Sequence, residues 1–265
     1  MSGYALPLSA DEIRRLRIQG DMVRDDADRV LTEAGLARDA RCLDLCCGVG
    51  GITDLLAQHV PDGQVVGLDY DGSKLAAARS WAAELALDIE YVEGDGFNPP
   101  FAPESFDLVH IRFALGIIAD GPKMLAAAAN LLKPGGLLFA QEAVASPYGV
   151  WPPLPEVDRG VQLMMEGVEA MGSDLSYGLK LGAQFADVGI VETRLNPTVH
   201  IVPAGAPMME HLPLTLIALR SLLEEKGLIM SAEFDPLIAK IRAHLATPGT
   251  TLLSFTLIQA IGRKP

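Results

Sequence analysis

The fold of this 265-residue chain is decided by one stretch, Arg41-Cys42-Leu43-Asp44-Leu45-Cys46-Cys47-Gly48-Val49-Gly50-Gly51. It opens as a short apolar strand that contains one acid, Asp44, and then passes into a glycine turn. From Ile52 onward, apolar residues recur at helical spacing. Strand, glycine turn and helix in this order open a nucleotide-binding βαβ unit, in which glycines let the backbone approach a ligand closely. The stretch therefore predicts an α/β sheet with a nucleotide site at its first turn.

The residues after the glycines exclude two common nucleotide sites. A dinucleotide fingerprint needs a third glycine three residues after Gly50, where this chain has Thr53. A Walker loop needs Lys and Ser or Thr after its last glycine, but Ile52 follows Gly51. What remains is an acid near the strand end and a short glycine turn, a pattern that also occurs in ordinary tight β–α turns.

Composition places the chain among globular proteins and narrows its partners. Hydrophobic residues make up 49% of the chain, charged residues 21%, and the net charge is −13. This charge argues against nucleic acid or an anionic membrane as the main partner, because both require clustered cations. No apolar run is long enough to span a bilayer, and the N-terminus lacks a basic segment before an apolar run. We therefore expect a cytoplasmic protein with no membrane and no nucleic-acid partner.

The cysteines do not indicate a disulfide framework or a metal site. All three lie within residues 42–47, and no histidine is near them at metal-ligand spacing. We expect the three cysteines to be small buried residues of a protein in a reducing compartment. The sequence also offers no evident carboxylate cluster for metal-dependent catalysis, so we expect no metal.

A second acid ends the second predicted strand, Gln64–Asp69. A carboxylate at this place can accept two hydrogen bonds from ribose hydroxyls. Because NAD proteins share the feature, it indicates a nucleoside without selecting the cofactor.

Four motifs occur in order between Leu43 and Glu142 and together resemble those of the class I S-adenosylmethionine (SAM) dependent methyltransferases. They are the Asp44 strand with its glycine turn, the acid Asp69, the passage Glu93-Gly94-Asp95-Gly96-Phe97, and Leu131-Leu132-Lys133-Pro134-Gly135-Gly136 before an apolar strand. The family usually has glycine where Cys46 stands, and a Cys-Cys-Gly variant occurs in quinone-biosynthesis members. The Arg112-Phe113 pair is similar to one in bacterial secondary-metabolite, small-molecule methyltransferases. The resemblance covers about the first half of the chain.

The resemblance implies an α/β fold, namely a Rossmann-like, seven-stranded, mostly parallel sheet with an antiparallel C-terminal hairpin and a helical substrate-cover insertion. It also implies SAM as the cofactor and S-adenosyl-L-homocysteine (SAH) as the product. Asp95 would bond the adenine amino group beside Phe97, and Arg112 would hold the methionine carboxylate or a substrate anion. The residues expected to bind the cofactor are Gln19, Asp44, Cys47, Gly48, Gly50, Asp69, Tyr70, Asp95, Gly96, Phe97 and Arg112.

Residues 1–40 are expected to form an N-terminal helical cover. A capping-box pattern and an apolar stripe predict one helix over Ser9–Leu36. In the family such a helix lies over the cofactor, so Tyr4, Arg17 or Gln19 would reach the methionine part of SAM. For any one of them, a solvated helix face is the more common role.

The second half of the chain combines the sheet edge with further cover. The expected division is a core of residues 41–202 and 249–265, with 146–177 partly cover, and a helical insertion at 203–248. Strands are expected at Ile190–Val202 and Thr251–Gly262, paired as the antiparallel hairpin. Because a hairpin normally needs only a few connecting residues, the insertion is a candidate substrate cover. Its methionines favour an apolar, deformable small-molecule pocket, although each alone reads as core.

Methyl transfer from SAM is an in-line displacement in which the protein aligns and desolvates the reactants, and no catalytic residue is compulsory. The candidate bases are Glu142, His110, His200 and His211. Glu142 ends the fifth predicted strand at the edge where open α/β sheets bind their ligands. Three roles are open for it: a general base, a ligand for an ammonium group, or a structural cap. His110 shares a strand face with Arg112 and reads better as a buried, hydrogen-bonded histidine than as a base. His200 and His211 flank or lie in the cover, where ordinary histidines are common.

The favoured function is transfer of a methyl group from SAM to a carbon, oxygen or nitrogen atom of a small, largely apolar metabolite, aromatic and natural-product molecules included. One alternative is a methyltransferase-like cyclase or isomerase that binds SAM without methyl transfer, and another is a non-enzymatic SAM-binding regulator. Thr53 disfavours an NAD oxidoreductase. The expected partner is a small-molecule substrate, and the expected assembly is a monomer or homodimer.

Overall fold

Ten strands form two sheets in the computed structural model, which describes residues 8–144 and 148–265. The strands are β1 (Arg41–Leu45), β2 (Gln64–Asp69), β3 (Glu90–Glu93), β4 (Phe106–Arg112), β5 (Leu132–Val144), β6 (Gly149–Trp151), β7 (Val191–Thr198), β8 (Ile201–Pro203), β9 (Thr251–Leu253) and β10 (Thr256–Arg263). The large sheet has seven strands in the order β3-β2-β1-β4-β5-β10-β7. Neighbours from β3 to β5 pair in parallel, and β10 is antiparallel to both β5 and β7. The predicted fold class, a mostly parallel seven-stranded sheet with an antiparallel hairpin, is confirmed.

Helices cover both faces of this sheet. They are α1 (Ala10–Met22), α2 (Arg24–Ala34), α3 (Thr53–His59), α4 (Gly72–Glu84), α5 (Gly121–Leu131), α6 (Pro155–Ala170), α7 (Leu181–Asp187), α8 (His211–Glu225) and α9 (Ser231–Leu245), with 3-10 turns at Tyr177–Lys180 and Pro207–Glu210. α2 and α3 pack on one face of the central strands, and α5 and α7 pack on the other. Because strand side chains alternate between faces, each central strand supplies both cores and reads as a continuous apolar run.

The N-terminal segment is two helices, so the prediction of one helix over 9–36 was wrong. The break falls at Val23, whose N–H bonds the carbonyl of Gly20 at 3.3 Å, and α2 begins at the next residue. α1 packs on α8, whereas α2 packs on α3. The apolar stripe therefore serves two different packing partners, one for each helix.

The strands predicted at 190–202 and 251–262 are each divided between the two sheets. Their inner parts, β7 and β10, form the predicted hairpin, and their outer parts, β8 and β9, join β6 in a three-stranded sheet. At the break, the N–H of His200 donates to Ser254 Oγ at 3.0 Å, and the N–H of Ser254 donates to the His200 carbonyl at 2.9 Å. A side-chain acceptor thus replaces a ladder bond where the two strands change sheets.

The small sheet and helices α1, α6, α8 and α9 enclose a second apolar cluster, which we call the cover cluster. Its fully buried members include Val23, Leu212, Leu216 and Ile241. Phe113, at the exit of β4, packs against the same cluster. The cover cluster therefore adjoins the carboxyl end of the large sheet, where open α/β sheets bind their ligands.

Candidate cofactor and substrate site

The strand order reverses between β1 and β4, and the residues that leave these two strands are strained. Cys46 has a φ of 64° and Phe113 has a φ of 50°, values in the left-handed region that favours glycine. Such conformations cost free energy and concentrate at ligand sites. The switch point of an open α/β sheet is also where ligands bind. Backbone conformation and topology thus indicate the same site.

The glycine turn after β1 is tied to the end of β2 by one carboxylate. Gly48 and Gly50 have φ values of 54° and 81°. The N–H of Gly48 donates to Asp69 Oδ2 at 2.8 Å, and the N–H of Asp71 donates to Asp69 Oδ1 at 3.0 Å. Burial raises the pKa of Asp69, and the two N–H donors act in the opposite direction. Each oxygen has remaining acceptor capacity, which ribose hydroxyls would use.

The loop after β3 carries the predicted adenine-binding residues. Asp95 is exposed and accepts from the N–H of Phe97 at 2.9 Å and from Asn98 Nδ2 at 3.0 Å, which lowers its pKa. A β-carbon at Gly96 would lie 2.9 Å from the terminal carbon of Met124. Asp95 and Phe97 therefore flank a glycine that packs against the side chain of Met124.

Tyr70 follows β2 at the same edge of the sheet, and 57% of its surface is exposed. The Lys74 ammonium lies 5.8 Å from its ring centre. Cys47 is buried in the glycine turn, and its N–H bonds the carbonyl of Leu68 at 3.0 Å. Tyr70 thus offers an accessible ring, while Cys47 contributes the course of the backbone.

Arg112 is a half-buried cation whose Nη1 atom is fully buried. Its guanidinium lies against Gly51 and Gly20, where a β-carbon at Gly51 would overlap Nη2 and one at Gly20 would lie 3.3 Å from it. Desolvation lowers its pKa, and the nearby carboxylates of Asp44 and Asp54 act in the opposite direction. Nη1 is buried and has no hydrogen-bond partner within residues 8–144 and 148–265. An uncompensated buried donor is costly, so this geometry suits an incoming carboxylate.

Helix α1, which lies against Arg112 at Gly20, carries further polar side chains. Gln19 accepts from Arg15 Nη1 at 3.5 Å, and Arg15 pairs with buried Glu12 at 2.7 Å. The guanidinium of Arg17 lies 4.5 Å from the ring centre of Trp81, so α1 contacts α4 across the sheet edge. Tyr4 lies outside the described residues.

His110 lies inside a buried polar chain that crosses four strands. Asp44 Oδ1 lies 2.8 Å from His110 Nδ1, His110 Nε2 lies 3.1 Å from Gln141 Oε1, and Gln141 Nε2 donates to Gln259 at 2.8 Å. The hydroxyl of Thr53 donates to Asp44 Oδ2 at 2.8 Å. Thr53, which stands where a dinucleotide site has glycine, thus anchors Asp44. Sequence reasoning missed both glutamines; the available signal was a polar residue within each of two apolar strands.

Glu142 faces the other side of the sheet. Its Oε1 accepts from the N–H groups of Ala114 and Leu115, each at 2.8 Å, and Gly116 adds a third backbone donor. Burial raises the pKa of Glu142 to about 7, while these donors act in the opposite direction. The carboxyl group therefore holds the turn that follows β4.

The two remaining candidate histidines lie in different surroundings. His200 is partly exposed, and its Nε2 lies 2.7 Å from Asp26 Oδ2 of α2. His211 begins α8 and is buried, with its ring 5.9 Å from that of Phe255, which meets Phe113 edge-on at 5.8 Å. Only His211 is thus linked to the exit of β4 through packed rings.

Among the residues that the structure describes, no three His, Cys, Asp or Glu side chains are grouped to hold a metal ion. No helix in the described ranges combines the length and apolarity needed to cross a membrane.

Comparison with known proteins defines the class of this site. Residues 42–136 match a family model described as a methyltransferase domain. With the strand order, the match indicates that residues 42–136 form a methyltransferase domain.

Individual proteins show how far the similarity extends. The 2-phytyl-1,4-naphtoquinone methyltransferase of Thermosynechococcus vestitus is 42% identical over 102 residues, which cover 38% of this chain and 45% of that protein. The YcgJ protein of Bacillus subtilis has a TM-score of 0.58 at 16% identity and covers 89% of this chain and 96% of its own. Phosphoethanolamine N-methyltransferase 2 of Haemonchus contortus, solved with SAH, has a TM-score of 0.55 at 20% identity and covers 91% and 52%. The chain spans about half the length of the curated relatives it matches.

Proposed function

We propose that this chain binds SAM across the carboxyl ends of β1 to β4 and transfers its methyl group to a small, largely apolar molecule beneath the cover. The observation that carries the proposal is the buried guanidinium of Arg112, whose Nη1 lacks a partner in the described structure and which lies against Gly20 and Gly51. A cofactor with a carboxylate would supply the missing partner. The amino-acid end of SAM has that group.

The other cofactor contacts follow from the order of the strand ends. With the methionine carboxylate at Arg112, the ribose would lie at Asp69 and the adenine between Asp95 and the ring of Phe97. Tyr70 would flank the nucleoside from the exposed side. The free acceptor capacity of Asp69 and the fixed loop of Asp95 support this orientation.

SAM supplies an electrophilic methyl group on a sulfonium centre, and the residues of the chain provide alignment and exclusion of water. The turn after β4 sets the position of the acceptor, because Glu142 fixes Ala114 and Leu115 and Phe113 projects toward the cover. The cover cluster around Phe113 is apolar, which favours an apolar acceptor. Relatives named for quinone methylation favour the same size and polarity.

The proposal is tested with SAM that carries a labelled methyl group. Purified protein is first titrated with SAM and SAH by calorimetry and is then incubated with labelled SAM and reduced naphthoquinones as probe acceptors. We expect binding of both nucleosides and label in the organic extract. Binding with no label in any acceptor and no SAH release would favour the cyclase alternative. Absence of binding by folded protein would refute the cofactor assignment.

A further inference from the structure

His211 is buried although its side chain is polar. Its side chain begins α8, only 5% of the residue is exposed, and neither ring nitrogen has a hydrogen-bond partner among the residues that the structure describes. Burial, with a smaller contribution from the Arg15 charge, lowers the pKa of His211 to about 3. The ring is therefore neutral at physiological pH and presents one donor and one acceptor. An apolar ring would suit this position better in the absence of a ligand.

Tyr148 repeats this pattern in the same cluster. Its hydroxyl oxygen is buried and, in the described part of the chain, unbonded. Burial raises the pKa of this hydroxyl, so it remains a donor. Tyr148 and Phe113 both pack on the cover cluster, to which the His211 ring is joined through Phe255. Two neutral hydrogen-bonding groups thus lie unsatisfied within one apolar cluster.

The cluster lies on the substrate side of the cofactor site. Arg112 directs its side chain to Gly51 and Gly20, and the next residue, Phe113, has a positive φ and contacts the ring of Phe255. The methyl acceptor must approach from beside the cofactor, on a line with the departing sulfur. The cover residues around Phe113 are apolar and include deformable side chains, among them Met22, Met164 and Met171.

We propose that His211 and Tyr148 bind a neutral hydroxyl or carbonyl oxygen on an apolar, ring-shaped acceptor. This inference rests on the proposed function and adds the residues that select the acceptor, both outside the matched methyltransferase domain. His211 acts as a hydrogen-bond partner and not as a general base, because a pKa near 3 gives it little driving force to take a proton from a hydroxyl.

The test compares two probes that differ by one hydroxyl, 2-naphthol and naphthalene. Equilibrium dialysis measures each Kd with SAH-saturated protein for the wild type, His211→Phe, Tyr148→Phe and His211→Gln. We expect the wild type to bind 2-naphthol roughly tenfold or more tightly than naphthalene, because the unpaired groups gain partners only from the hydroxyl. His211→Phe and Tyr148→Phe should each reduce this ratio to about threefold or less, and His211→Gln, which keeps a donor and an acceptor, should restore part of it.

The affinity for SAH separates this inference from the proposed function. We expect SAH to bind all four proteins within about twofold, since the proposed contacts of His211 and Tyr148 are to the acceptor and not to the cofactor. An unchanged naphthol-to-naphthalene ratio in His211→Phe and Tyr148→Phe, equal binding of the two probes by the wild type, or no binding of either would overturn the inference while the cofactor assignment stands. Failure of the wild type to bind SAH would overturn the proposed function and, with it, the inference.

Discussion

Cys46 and Phe113, the residues that follow β1 and β4, have left-handed backbone conformations at the point where the strand order reverses. Asp44 and the glycine turn predicted the strand, turn and helix that begin the large sheet, although the same pattern also occurs in ordinary tight β–α turns. The left-handed conformations of Cys46 and Phe113 were not predictable. Neither residue type favours a positive φ, so the conformation is imposed by tertiary contacts that no local pattern records.

Glu142 should make stability depend on pH in a defined direction. Its pKa is raised from 4.5 in the unfolded chain to about 7 in the fold, so the protonated form is favoured by folding. Its contribution to the free energy of unfolding is complete below pH 4.5 and is lost as pH rises through about 7. The free energy of unfolding of the wild type should therefore fall as the pH rises from 5 to 8. In Glu142→Gln this fall should be smaller by about 1–3 kcal/mol.

Urea unfolding at the two pH values measures this difference. Glu156→Gln is the matched control, because Glu156 is a partly exposed carboxylate whose pKa is lowered by Lys240 and whose contribution is lost as pH falls. The free energy of unfolding of Glu156→Gln should change between the two pH values by as much as that of the wild type. Equal slopes for wild type and Glu142→Gln would contradict the buried, raised-pKa description.

At the scale of elements, the apolar periodicity predicted which segments form helices and strands. It did not predict where a segment changes its packing partner or its sheet. The stripe over 9–36 continues through the break at Val23, since both helices bury apolar faces and only their partners differ. The apolar strand patterns likewise continue through the change of sheet near His200 and Ser254. Which surface an element meets depends on residues far away in the chain, and periodicity contains no such information.

The close packing of α1 against the glycine turn should control the affinity for the cofactor. A β-carbon at Gly20 would lie 3.2 Å from the carbonyl oxygen of Gly51 and 3.3 Å from Arg112 Nη2. Gly20→Val should force α1 away from the turn, destabilise the protein by about 1–3 kcal/mol, and weaken SAH binding by roughly tenfold or more. Ala10→Val, a β-branched substitution at an exposed position of the same helix, is the control. Calorimetry that gave wild-type SAH affinity for Gly20→Val would contradict a role of α1 in the cofactor site.

At the scale of the whole molecule, the residues proposed to bind the cofactor could be predicted from the sequence, whereas the grouping of the residues proposed to bind the acceptor could not. Four short motifs in strand order were enough to predict the methyltransferase domain, because each motif lies beside the end of one strand. The cluster of Phe113, Tyr148, His211 and Phe255 joins segments distant in sequence through the cover. No spacing rule connects such residues, so only the fold reveals them.

The central claim is that Arg112 holds the amino-acid carboxylate of the cofactor. The most direct measurement is calorimetry of wild type, Arg112→Met and the surface control Arg220→Met with SAH and with 5′-methylthioadenosine, which lacks that carboxylate. Loss of one partner of a buried charge pair costs about 2 kcal/mol or more, so Arg112→Met should weaken SAH binding by roughly 30-fold or more. Its affinity for 5′-methylthioadenosine should change by less than about threefold, and Arg220→Met should leave both unchanged. Equal losses for both ligands, or no loss for SAH, would contradict the claim.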